Sequence, residues 1–311
     1  MARVTRPEVA AAVDCGSNST RMQVARRTDN GLEVLTRRQV VTRLGQAVDE
    51  TGQLDPSAIG RTVDTIEQFA DVWREHGATS VRIVATSAVR DAANRDRFVR
   101  AVTERVGAEP EILQGSAEAA LAFEGAVRAV DPPRPALVLD IGGGSTELIV
   151  GTDTPAASTS RQLGCVRLTE RALPGDPPAL EAVAAALGLI DAELNAAEPI
   201  IAPHAPASIV AVAGTATTLA ALQLGLERYD AARVHGTAVP IAGVHALVAW
   251  LRESAAAEIA ARGTVQEGRE DVLLAGALIL ARVLDRFELT EVIVSEGDLL
   301  DAVCRQALAA G

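Results

Sequence analysis

The chain has 311 residues, 48% of them hydrophobic, and a formal net charge of −12. That length supports two cores of ordinary size, while the acidity argues against a partner such as nucleic acid or an anionic membrane. All 29 basic residues are arginines, so no lysine can grip a phosphate or form a Schiff base, and a bound phosphate would depend on arginine, backbone N–H groups, hydroxyls or metal.

No uncharged apolar run approaches the roughly 18 residues of a membrane-spanning helix. The opening MARVTRPEVAAAVDCG reads as the approach to a first buried strand and lacks the long apolar core of a signal peptide. Cys15, Cys165 and Cys304 are odd in number and far apart, with no CxxC pattern. They read as buried free thiols in a reducing compartment, and a cytoplasmic location is expected. The four histidines have no metal-ligand spacing.

Strands are expected over 10–15, 19–27 and 32–44, separated by Gly-Ser-Asn and Thr-Asp-Asn-Gly turns. A helix over 56–76 follows from Ile59, Val63, Ile66, Phe69, Ala70 and Trp73 at helical spacing. Next come a strand at 80–86, a helix at 94–106, a short strand at 109–114 and a helix at 116–129. The segment AVDPPRP (129–135) breaks the pattern, which places a domain boundary there, giving domains 1–128 and 129–311. Strands then return at 136–141, 145–151 and 157–164. Helices are expected at 179–197, 215–223, 240–261 and 270–286, with strands at 208–214 and 291–296 among them. A terminal helix at 298–309 has the option of packing back on the first domain. Twice, three strands joined by turns lead into helix and strand alternation, which reads as two mixed α/β domains.

An ungapped internal repeat strengthens this reading. Val13 to Val24 aligns with Leu139 to Val150, pairing Asp14 with Asp140, Gly16 with Gly142, Ser19 with Ser145 and Thr20 with Thr146. The offset from 14 to 140 is of domain length, as in a duplication rather than a solenoid. Each copy brings an aspartate to the end of an apolar strand, then a turn of small residues, then a second strand. Glycine lets a ligand approach the backbone, hydroxyls and turn N–H groups can cradle phosphate oxygens, and the aspartate suits magnesium held directly or through water. A single copy could equally be a plain tight hairpin; two matched copies favour a ligand.

DCGSNSTR and DIGGGSTE resemble the paired phosphate loops of the actin, sugar-kinase and heat-shock ATPase superfamily. More narrowly, with ATSAVRDAANRDRF (85–98), EILQGSAEAALAFEGA (111–126), LGCVRLTE (163–170), AGTATTLAAL (213–222), REDVLLAGALIL (269–280) and VSEGDLLDAV (294–303), the chain resembles the exopolyphosphatase/guanosine pentaphosphate phosphatase family. Longer members carry additional C-terminal helical domains, so this chain looks like a short, two-domain form. The resemblance implies two duplicated actin-like (ribonuclease H-like) domains, with the active site in the cleft between them. It implies that Glu118 is the base for the attacking water. The family often has two adjacent glutamates there; here the first is Ala117. It also places Asp14, Asp140 and Glu147 around magnesium, or manganese in its stead, and the nucleophilic water.

The remaining candidates follow from the loops. Gly16, Ser17, Asn18, Ser19 and Arg21 form the first phosphate-binding set; Gly142, Gly143, Gly144, Ser145 and Thr146 form the second. Arg21 reads as a phosphate clamp with no carboxylate partner close in sequence, or else as a solvated strand residue. Arg90 could reach the phosphates, or simply pair with Asp91. Gly214 and Thr215 open a helix that could approach a ligand or be a well-capped helix; Arg269 could join them or pair with Glu270 and Asp271. Glu118, two residues after Ser116 as a candidate N-cap, is also explained by dipole complementarity alone. The expected activity is hydrolysis of the terminal phosphoanhydride of short-chain polyphosphate or of guanosine pentaphosphate, by a homodimer. An alarmone-binding regulator without turnover, a kinase of the same superfamily and an actin-like polymer are the competing readings.

Overall fold

The computed structural model describes residues 8–17, 19–29, 31–46 and 48–310. The chain begins with β1 (Val9–Cys15), β2 (Ser19–Thr28) and β3 (Gly31–Val41). It continues through α1 (Val48–Thr51), α2 (Pro56–Glu75), β4 (Ser80–Ala85), α3 (Ser87–Asp91), α4 (Arg95–Val106), β5 (Glu111–Ile112) and α5 (Gly115–Val130). The second run is β6 (Ala136–Ile141), β7 (Thr146–Gly151), β8 (Pro155–Arg161), α6 (Cys165–Ala172), α7 (Leu180–Ile201), β9 (Ser208–Val212) and α8 (Ala213–Gln223). It ends with α9 (Ala231–Val234), β10 (Ala238–Pro240), α10 (Ile241–Glu253), α11 (Ala256–Ala260), α12 (Leu273–Arg286), β11 (Glu291–Val294) and α13 (Leu299–Ala309).

These elements form two compact units, Met1–Ala122 with Leu299–Gly311, and Phe123–Asp298. The sequence places its boundary at the prolines after residue 128, whereas the division falls inside α5. The helix runs on to Val130, and its second half is tied into the second unit: Ser295 Oγ donates to the Ala126 carbonyl at 3.3 Å and His235 Nε2 lies 3.1 Å from that of Ala129.

In the first unit the sheet order is β3-β2-β1-β4-β5. Central β1 is apolar along nearly its whole length because both faces are covered. Ala11, Val13 and Cys15 join the core with Ile59, Ile66 and Phe69 of α2 and Phe98 of α4, while Ala12 packs with Leu300, Val303 and Cys304 of α13. This is the period-two alternation of a strand between two layers. Asp55 starts α2 as an N-cap, accepting from the N–H groups of Ser57 (2.9 Å) and Ala58 (3.1 Å), with Pro56 fitting the first helical position. A polar clamp holds α13: Asp301 accepts from Gln23 Nε2 (3.0 Å) and from Arg37 Nη2 (2.6 Å).

The second unit repeats the frame with the order β10-β11-β9-β6-β7-β8. Its core is dominated by α12, buried nearly all round, together with α7 and α8. The helix expected over 240–261 is two helices, because Ser254 turns extended and the N–H of Ala256 is caught by Asp176 Oδ1 at 2.6 Å. Among the described residues no helix is long and apolar enough to cross a membrane.

Candidate active site

In the first unit the aspartate turn closes tightly. The Gly16 N–H donates to the Ser19 carbonyl at 3.1 Å. Asp14 stands opposite Arg21 across β1 and β2, and the two form an ion pair through Arg21 Nη2 (2.6 Å) and Nε (3.1 Å), both on Asp14 Oδ2. Asp14 is 4% exposed, and its other oxygen, Oδ1, is buried without a hydrogen-bond partner among the described residues. Ser17 Oγ meets Ser87 Oγ at 3.1 Å, and the Ser17 carbonyl accepts from the Gly45 N–H at 2.8 Å. A Cβ at Gly45 would press on Ser17, so glycine there lets the loop be braced from behind. One turn beyond Ser87, Arg90 donates through Nη1 to Glu118 Oε2 at 2.9 Å and to the Leu113 carbonyl at 3.0 Å. Glu118 is thus held in the first turn of α5, where its N–H donates to the Gln114 carbonyl (2.9 Å) and Ser116 is already inside the helix.

The second unit reproduces this turn in the same register. The Gly142 N–H donates to the Ser145 carbonyl at 2.9 Å, and Asp140 stands opposite Glu147 as Asp14 does opposite Arg21. Two carboxylates therefore stand where the first unit has an ion pair. Glu147 Oε1 accepts from Ser160 Oγ at 2.7 Å. The loop carbonyls are stapled to α6, with the Cys165 N–H on Gly142 (2.9 Å) and those of Val166 and Arg167 on Gly143 (3.0 Å each). Arg269 lays its guanidinium where a Cβ at Gly214 would sit, at the start of α8, and its Nε donates to Gln266 at 3.2 Å. Nearby, Tyr229 donates to Glu296; burial and that bond push the phenol pKa up.

The model of the Ppx/GppA phosphatase family matches residues 23–308. The chain belongs to that family. It is 39% identical over 310 residues to exopolyphosphatase 2 of Mycobacterium tuberculosis, covering 94% of this chain and 96% of the relative. It is 32% identical over 214 residues to the guanosine-5'-triphosphate,3'-diphosphate pyrophosphatase of Photobacterium profundum, where the match spans 68% of this chain and 42% of the relative. Among solved structures, an Aquifex aeolicus Ppx/GppA family member superposes with a TM-score of 0.86 at 30% identity, covering 97% of this chain and 98% of that one.

Within this Ppx/GppA frame the sequence-derived residues sort by position. Asp14 with Arg21, Arg90 with Glu118, and Asp140 with Glu147 are brought together as pairs. Arg21, expected without a nearby carboxylate, has Asp14 as its cross-strand neighbour; seven residues apart in sequence, they are opposed by the hairpin. Arg90 also lies 3.6 Å from Asp91, the local ion pair that is one of its two sequence readings. Gly16, Ser17, Ser19, Gly142, Gly143, Gly144 and Ser145 form the two turns, and Asn18 lies outside the described residues. Two of the candidate threonines have buried side chains. Thr146 is fully buried and donates its hydroxyl to the Leu163 carbonyl. Thr215 is 3% exposed and packed against Gly276 of α12. The start of α8 also has no side-chain cap, contrary to the well-capped alternative. Sequence reasoning missed Ser87, Arg167, and Ala213, whose φ of 65° strains the strand-to-helix turn. Ser87 and Arg167 lie in segments that carry the family resemblance; Ala213 is marked only by the Gly-Thr that follows it.

Proposed function

We propose that the chain is an exopolyphosphatase that hydrolyses the terminal phosphoanhydride of polyphosphate, with Glu118 as the base. The observation that carries this reading is Glu118 itself, one carboxylate at the start of α5, held by Arg90 and by its place in the first helical turn. A water accepted by Glu118 would lose its proton to Oε1 or Oε2 as its oxygen attacks the terminal phosphorus; the P–O bond to the next phosphate breaks and the shortened chain leaves. Turn N–H groups and serine hydroxyls of the first glycine loop, with Arg21 and Arg90, would disperse charge on the transferring oxygens. The 39% identity over nearly the full length of an exopolyphosphatase supports polyphosphate as the first substrate. The match to a guanosine pentaphosphate enzyme supports that nucleotide as the second.

Magnesium fits the residues present. Among the described residues no cluster of three or more His, Cys, Asp or Glu side chains is placed to hold a metal, but magnesium commonly takes one or two carboxylates and fills its shell with water and substrate phosphate. Asp140 with Glu147, and the unpartnered Oδ1 of Asp14, are such oxygen donors. When bound, the ion would neutralise charge on the phosphate oxygens. The test measures phosphate release from polyphosphates of defined length, guanosine pentaphosphate, ATP and pyrophosphate, with magnesium or after exhaustive chelation. Release from the first two substrates that stops on chelation is expected. Tight nucleotide binding with no release would favour a regulator instead, and full activity after chelation would remove the metal.

A further inference from the structure

The second glycine loop carries Glu147 where the first carries Arg21, so its cation has to come from elsewhere. The start of α6 supplies one. Three α6 N–H groups donate to the loop carbonyls, and Gly164 packs so closely on Gly143 that a Cβ there would overlap the loop backbone. Loop and helix are therefore held as one piece, and any side chain in the first turn of α6 has a fixed position relative to the glycines. Arg167 is that side chain. Its Nη2 lies 3.5 Å from where a Cβ at Gly144 would sit, and its Nη1 donates to Gln162 Oε1. Exposed Arg171 follows four residues later, on the same helical face. Arg167, Arg171 and Gln162 line a partly open cavity of about 70 Å³ together with Leu163, Leu168 and Leu189. The carboxylate on its wall, Glu193, is engaged by Arg161 at 2.8 Å.

We infer that Arg167 and Arg171 form an anion subsite beside the second glycine loop, gripping the phosphates adjacent to the one being cleaved. The inference rests on the phosphoanhydride reading above. Arginine suits the task because its planar fork meets two phosphate oxygens at once. Arg167 works at the loop itself, and Arg171, about 6 Å further along the helix axis, extends the grip to a longer chain. Both are substrate-positioning residues, so their loss weakens binding rather than the chemical step.

The test uses the full chain and two readouts, calorimetric binding of inorganic tripolyphosphate and steady-state phosphate release, both with magnesium. Arg167→Gln is expected to weaken binding and raise KM roughly ten- to hundredfold, with kcat within about threefold. Arg171→Gln is expected to raise KM by a smaller factor for tripolyphosphate than for chains of about ten phosphates. Arg252→Gln, at a residue that pairs with Glu253 in α10, controls for net charge and is expected to change neither readout. Arg167→Lys keeps the charge and loses the fork; it guards against a misfolded glutamine variant and is expected to recover part of the affinity. Binding and KM for Arg167→Gln matching those of the Arg252 control would overturn the subsite while leaving the hydrolase reading standing. Arg167-dependent binding with no phosphate release from any substrate would support the subsite and sink the hydrolase reading.

Discussion

Asp14 is an almost buried carboxylate whose charge is met on one oxygen by Arg21 and on the other by no group among the described residues. Removing the cation leaves that charge stranded, which for buried pairs costs several kcal/mol. Arg21→Ala is therefore expected to destabilise the first unit by about 3 kcal/mol as well as weaken substrate use; Asp14→Asn in the same chain should restore part of the loss. Urea unfolding of the two single variants and the double variant measures this, and an Arg21→Ala midpoint equal to wild type would show that the pair carries no stability. Glu118 behaves differently. Its bond to Arg90 is part-exposed, at 30% and 23% side-chain exposure, so Glu118→Gln should shift stability by no more than about 1 kcal/mol. The same change removes the proposed base and should lower kcat by about 10²–10⁴-fold. Near-wild-type phosphate release from a folded variant would end that assignment. The candidate carboxylates and glycines could be read from the sequence because the repeat marks them, but pairing was only partly legible. Asp14 and Arg21 meet through hairpin register, and the inward turn of Thr146 depends on where Leu163 places its carbonyl.

Helix α13 shows what an element owes to distant chain. Its apolar pattern is visible in sequence, yet the groups that hold it, Gln23 and Arg37, lie in β2 and β3, at the other end of the chain from Asp301. Nothing local announces such a clamp. The loss of the α6 helix from the sequence reading has a local cause: it is short, follows Gly164, and is organised by the carbonyls of Gly142 and Gly143 rather than by its own cap. Packing of α13 on β1 also buries Cys304, whose thiol is pushed up to about 12 by burial first and by Asp301 second. An unfolded thiol ionises near pH 8.5. Between those values the unfolded chain has lost a proton that the native state keeps, so this contribution to stability is intact below about pH 8.5 and falls by about 1.4 kcal/mol per pH unit above it. The urea midpoint of the wild type should drop more steeply from about pH 8 to about pH 10 than that of Cys304→Ala. Parallel slopes would show that Cys304 does not titrate on unfolding.

Each unit builds the same five-strand frame around an aspartate turn, the second adding β10 at its edge, and the turns differ in the residue opposite the aspartate: Arg21 in one, Glu147 in the other. A duplicated frame thus offers one cationic and one anionic copy, and additional positive charge has to be recruited locally, from Arg90 in one unit and Arg167 in the other. Against this local charge stands a net −12 for the whole chain. Long-range attraction of a polyanion depends on the summed field, so an acidic chain gains no steering toward a long polyphosphate. Close binding depends instead on the N–H groups, hydroxyls and arginines within a Debye length, about 8 Å at physiological salt. We therefore predict that the enzyme prefers short polyphosphate chains, or a single terminal phosphoanhydride, over very long polymers. The two opposing charges also respond differently to salt. Repulsion between a long polymer and the acidic surface is screened, whereas contacts at the glycine loops are less affected, so the preference for short chains should narrow as ionic strength rises. A competition between chains of about ten phosphates and of several hundred, at equal concentrations of chain ends and at low and high salt, measures both effects. Processive shortening of the long chains at low salt would require a continuous cationic track, and would overturn the prediction.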